Sequence, residues 1–164
     1  MRLPRAPRAP ALLDARGVWV PGPDGAWRLR GATLAAWGGE VVCIAGADAG
    51  ALRALLACLR GAPTWGGVVR ARPGWWRAGR ALGPLDVRGR SAAWLARAVR
   101  ARARRTLGGA LVLALTIDDR AECSATVHQA VALAARHVPV RCVALVGGRI
   151  VPPPRSVDPP PGRS

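Results

Sequence analysis

Apolar and polar positions along this chain fall into short blocks whose period alternates between two and 3.6 residues. Leu12 to Val20 reads as a strand, ended by the turn cluster Pro21-Gly22-Pro23-Asp24-Gly25. Trp27 to Trp37 alternates enough for a second strand, and Gly38-Gly39 turns the chain into a third, Glu40 to Ala45. Its centre, Val41-Val42-Cys43-Ile44-Ala45, is continuously apolar, as in a strand buried on both faces. A small-residue loop from Gly46 to Gly50 follows. Leu52, Leu55, Leu56 and Leu59 then form one apolar stripe, which predicts a helix from about Ala51 to Arg60 that stops at Gly61.

Val68 to Ala71 suits a short strand, whereas Pro73 to Gly89, rich in Gly, Pro and Arg, is expected to be irregular. Ser91 is placed to cap a helix running to about Leu107. Ala110 to Thr116 is a second buried strand, Ala121 to His137 a helix, and Val140 to Val146 with Arg149 to Val151 a closing hairpin across Gly147-Gly148. Strands alternating with helices predict a single α/β domain with a mainly parallel sheet over residues 11–151. The Arg/Pro-rich residues 1–10 and the Pro-rich residues 152–164 carry no packing pattern and are expected to be disordered.

A chain of 164 residues fits one domain with a real core. Its formal charge is +16, from 25 basic residues against 9 acids, and every basic residue is an arginine. Lys, Asn, Phe and Tyr are absent, a bias that GC-rich codons produce. That origin weakens the argument for a nucleic-acid partner that so basic a chain would otherwise make. Cys43, Cys58, Cys123 and Cys142 show no C-x-x-C spacing and sit among apolar neighbours, so buried reduced thiols are expected and zinc is not. The longest uncharged apolar run, Leu107 to Ile117, is shorter than the ~20 residues of a spanning helix. A cytoplasmic chain is expected, reaching a membrane only through a partner.

The loop after the third strand has the outline of a phosphate cradle. A loop of the G-x-x-x-x-G-K-[ST] type needs its lysine on the β- and γ-phosphates and its hydroxyl on the magnesium ion. Here Gly46-Ala47-Asp48-Ala49-Gly50-Ala51-Leu52-Arg53 keeps glycines at 46 and 50 but puts Leu52 at the lysine position. Arg53 and Ala54 stand where the hydroxyls belong.

With these residues in view, the chain resembles a shortened, degenerate ATP-binding domain of ABC transporters, a branch of the P-loop NTPases. Leu12-Leu13-Asp14-Ala15-Arg16-Gly17-Val18 is similar to that family's first strand, and Leu29 to Leu34 followed by Gly39-Glu40-Val41-Val42 to the stretch leading into its phosphate loop. Gly61 with Thr64-Trp65-Gly66-Gly67-Val68 resembles the segment after the loop helix, and Val143 to Val151 the closing hairpin. The good match covers Leu12 to Val69 and Val143 to Val151.

The resemblance implies nucleotide-binding positions at Gly46, Ala47, Asp48, Ala49, Gly50, Ala51, Leu52 and Arg53, with ATP and Mg2+ as cofactors held weakly or lost. It also implies a membrane permease or a competent ATP-binding subunit as partner, and a place at the inner face of the membrane. Trp19 and Trp27 are the candidates for an adenine-stacking aromatic, although a packing role suits both. Gln129 lies inside a predicted helix rather than in a glutamine-bearing loop. Leu95-Ala96-Arg97-Ala98-Val99 resembles the family's signature helix, but Leu85-Asp86-Val87-Arg88-Gly89 replaces the Ser-Gly-Gly-Gln turn before it.

Leu111 to Asp119 matches either the metal-binding strand, ending in Asp118-Asp119 instead of Asp-Glu, or the later switch strand, with Ile117 at the histidine. Both alignments remove a catalytic group. Asp118 and Asp119 suit magnesium in a loop after a strand, or a helix cap. His128 and His137 have no third ligand nearby and are expected to be packed or solvated. An alternative from another class is an arginine-rich nucleic-acid-binding module. It would use the helix Ser91 to Leu107, the arginines at 70, 72, 77 and 80, and Trp75-Trp76 as a stacking pair.

Overall fold

The computed structural model describes residues 10–72, 79–106, 109–118 and 121–151, and of 79 and 121–123 the backbone alone. Strand β1 (Leu13–Pro21) pairs antiparallel with β2 (Trp27–Ala36) on one side and β4 (Gly66–Ala71) on the other. A second sheet runs β5-β6-β3-β7-β8, built from β3 (Val41–Gly46), β5 (Gly79–Asp86), β6 (Ala110–Thr116), β7 (Val140–Val146) and β8 (Arg149–Val151). β5, β6, β3 and β7 are mutually parallel, and β8 folds back antiparallel on β7. Three helices are described: α1 (Ala49–Leu59), α2 (Ala92–Ala103), which runs on into a short 3₁₀ turn at Arg104–Thr106, and α3 (Ala121–Ala135). The fold is α/β, with an antiparallel N-terminal sheet, a mainly parallel five-stranded sheet and a C-terminal hairpin.

The apolar runs become central strands because both faces of the large sheet are covered. Every residue of β3 and β6 is buried. With a side-chain period of two, Val42, Ile44, Val112 and Ala114 face one layer, where they meet Leu52, Leu55, Leu56 and Leu59 of α1 and Leu13, Val18 and Leu29 of the small sheet. Val41, Cys43, Leu111, Leu113 and Leu115 face the other, against Leu95 and Val99 of α2 and Val127, Ala130 and Ala134 of α3. Each fully buried Leu or Val contributes about 1.5–3 kcal/mol relative to exposure.

One expectation is overturned. The stretch from Pro73 to Gly89 is not irregular throughout, because Gly79–Asp86 forms β5 and pairs in parallel with β6. Its apolar pattern is interrupted by Arg80, Gly83 and Pro84, and the pairing register breaks between Leu82 and Leu85, where Gly83 and Pro84 sit. Gly83 takes a φ of 113°, and a Cβ there would lie 2.6 Å from the Ala114 carbonyl oxygen, so only glycine fits. Arg60, just past α1, donates from Nε and Nη2 to the Ala81 carbonyl of β5 at 3.0 and 2.6 Å. Such cover suits a strand that has only β6 as a partner among the described residues.

Other differences lie at element ends: α2 stops at Ala103 and α3 at Ala135, short of Leu107 and His137. The expected disorder at residues 1–9 and 152–164 lies outside the described residues.

Candidate functional site

The candidate phosphate loop is where β3 feeds α1. β3 ends at Gly46, whose carbonyl accepts from the Ile117 N–H at 3.0 Å just beyond β6. A Cβ on Gly46 would stand 3.1 Å from the Leu145 carbonyl oxygen of β7, so the glycine here serves close strand packing. The bend itself is shorter than expected. The sequence suggested a loop to Gly50 with the helix opening at Ala51, but α1 begins at Ala49 and only Ala47 and Asp48 lie between strand and helix.

Asp48 is the physical reason for that early start. Its backbone is extended (φ −88°, ψ 96°) and its Oδ1 accepts from the Ala51 N–H at 3.0 Å, an N-cap. The Asp48 carbonyl accepts from the Leu52 N–H at 3.1 Å, closing the first helical turn. A helix N-terminus leaves its first N–H groups without intrahelical partners and attracts negative charge. In this chain the attracted charge is the chain's own carboxylate.

Across the bend, Arg28 of β2 brings its guanidinium against Gly50: any Cβ at that position would collide with the Arg28 Nη1, and would lie 3.2 Å from the Asp48 Oδ1. No sequence spacing signalled Arg28, which reaches α1 only through the packing of the small sheet on the helix.

The expected site residues therefore come together in chain order but point apart. Ala47 and Asp48 are exposed, Ala49 and Gly50 half-buried, Ala51 buried, and Arg53 open to solvent. Leu52 is 0% exposed and belongs to the core stripe of α1.

The remaining candidates scatter. Asp86, at the end of β5, is gripped by Arg88, whose Nε and Nη2 lie 3.0 and 2.7 Å from its two carboxylate oxygens. Those hydrogen bonds hold the Asp86 carboxyl down at about 2. Asp118 is half-buried just after β6, and Asp119 lies outside the described residues. Trp19 and Trp27 meet edge to face at 5.2 Å, and Trp65 extends the cluster at 4.8 Å from Trp27, with Trp27 and Trp65 exposed. Gln129 is on α3, as expected, and so is His128, half-buried, while His137 is exposed.

Cys43 and Cys58 are buried and Cys142 half-buried, all three free, and burial lifts their thiols, that of Cys142 to about 11. The side chain of Cys123 lies outside the described residues, as do Trp75, Trp76 and Arg77. Arg97, Arg104 and Arg105 are exposed along α2 and its 3₁₀ turn, with Arg100 and Arg102 half-buried. Among the described residues no three of His, Cys, Asp and Glu come together in a metal-sized group. No helix among them is long and apolar enough to cross a membrane.

Two layers of sheet around a strand–bend–helix unit lead to the comparison with solved structures. An ATP-binding subunit of an ABC transporter superposes with a TM-score of 0.53 at 12% identity, covering 85% of this chain and 88% of that one. The chain has the fold of an ABC transporter ATP-binding subunit. CbiO1 from Clostridium perfringens, part of the ABC transporter complex cbiONQ, gives a TM-score of 0.55 at 10% identity over 86% of this chain and 87% of that one. A nucleotide-free ATP-binding cassette from an ABC transporter gives 0.57 at 7% identity over 86% and 90%. No family model and no curated protein matches the sequence. The resemblance read from scattered motifs is thus also a resemblance of fold, to ABC ATP-binding subunits.

Proposed function

We propose that this chain is an ABC-type ATP-binding-domain-like protein that does not hydrolyse ATP and acts as an accessory or structural subunit of a transport complex. Leu52 carries the reading. The residue at the lysine position of the loop is fully buried in the core and has no charge to offer a phosphate. Losing a charge-assisted hydrogen bond to phosphate forfeits about 1.5–3 kcal/mol of binding.

The segment from Gly46 to Arg53 is in this reading a relic cradle. The bend does not fit a magnesium triphosphate. Its helix N-terminus is capped by Asp48, whose charge repels phosphate, and Arg28 lies over Gly50. Arg53 is exposed on the first turns of α1, but its planar fork is no substitute for a lysine point charge. Phosphoryl transfer is almost wholly positioning and charge stabilisation, so these changes remove the means of catalysis rather than tune it.

The partner in this reading is a membrane permease subunit or a competent ATP-binding subunit, which would bring the chain to the inner face of a membrane. The first test is phosphate release by the purified full chain with ATP and Mg2+. It should match a protein-free blank, and turnover of about 1 s⁻¹ or faster would overturn the proposal.

A further inference from the structure

A concavity of about 490 Å³ lies between the outer side of β5 and the end of α2, away from the bend. Such a volume is within the range of small-molecule sites. Its floor is apolar, from Leu82, Leu85 and Leu113, and its rim carries Arg80 of β5, Arg102 of α2 and Arg105 of the 3₁₀ turn. Among the described residues no carboxylate lines it. Three like charges around one concavity raise its potential and draw anions.

The helix end explains part of this. Arg102 stands in the last turn of α2, where a cation is favoured by the helix dipole. Arg102 also donates from Nη1 to the Ala98 carbonyl at 3.3 Å, which ties its guanidinium to the last turns of the helix. The dipole does not explain Arg80, which arrives from a strand and converges on the same space.

We infer that this pocket binds a ligand through its phosphates, with Arg80, Arg102 and Arg105 holding phosphate oxygens and the leucine floor taking an apolar part. Guanidinium groups offer planar paired donors that match phosphate oxygens. The phosphates come from a free oligophosphate or from the phosphodiesters of a single-stranded nucleic acid. The site is on β5 and α2, not on β3 and α1, so it stands or falls independently of the proposed loss of ATPase activity.

Calorimetry on the full chain tests this, with inorganic triphosphate as one probe and a single-stranded oligothymidylate of about ten nucleotides, a length within the site range of strand-binding domains, as the other. The variant Arg80→Gln/Arg102→Gln/Arg105→Gln is compared with Arg30→Gln/Arg136→Gln/Arg149→Gln, which removes the same charge from exposed positions elsewhere. The pocket variant should weaken binding at least about tenfold and the distal variant less than about twofold, since exposed lone charges contribute little. The probe with the greater affinity and this same pattern identifies the phosphate source. Arg105→Glu alone, at an exposed position, should also weaken binding, and thermal melting checks that each variant folds. An equal fall in both triple variants, or no binding of either probe by the unaltered chain, overturns the inference.

Discussion

Leucine and lysine differ little in bulk, yet at position 52 the difference decides whether the side chain can sit in the core. Leu52 is fully buried beside Leu55, Leu56 and Ile44, so a lysine there would have to bury an ammonium or prise the helix from the sheet. Leu52→Lys should therefore destabilise the chain by about 3 kcal/mol or more in chemical denaturation without producing ATP hydrolysis. A variant as stable as the parent would place residue 52 outside the core. Both the chemical change and its direction were legible in the sequence, since position 52 shares the leucine stripe of the helix. Arg28 was not legible. Its contact with Gly50 depends on how two sheets stack, and neither its neighbours nor its spacing encode that.

At the scale of the element, the early start of α1 rests on one side chain. Asp48→Ala removes the acceptor for the Ala51 N–H and should cost about 1 kcal/mol, while Asp48→Asn keeps an acceptor and should stay within a few tenths of a kcal/mol of the parent. Equal stability for all three chains in thermal or urea unfolding would mean that the cap contributes nothing. The sequence displayed Ala110–Thr116, Val140–Val146 and Arg149–Val151 with their observed limits because apolar runs bounded by glycine leave little choice. Ser91 caps α2 as its position suggested, its Oγ accepting from the Trp94 N–H at 3.2 Å. β5 was hidden for the opposite reason. Only Ala81 among residues 80–86 is buried, so the strand depends on pairing with β6 and on the reach of Arg60 rather than on its own pattern. The shortened bend was hidden too, because a glycine at position 50 reads as loop when it is in fact inside the first turn of a helix.

For the whole molecule, the α/β class followed from the alternation of strand and helix, but the order β5-β6-β3-β7-β8 did not. Parallel neighbours are joined through helices, and nothing in local periodicity says which strand lands beside which. The resemblance to ABC ATP-binding subunits supplied what periodicity could not, and the fold carries it at 7–12% identity. Such a fold with an apolar residue at the gripping position separates architecture from chemistry. On the proposed reading, the two layers serve as a docking body and the bend no longer holds phosphate.

The most direct measurement is calorimetric titration of ATP, with and without Mg2+, into the Arg80→Gln/Arg102→Gln/Arg105→Gln chain, which removes the arginine-rimmed pocket as a source of heat. The expected result is no magnesium-dependent heat up to about 1 mM ATP. Magnesium-dependent binding at about 10 µM or tighter, about −7 kcal/mol, would contradict a closed bend and restore a working nucleotide site to this chain.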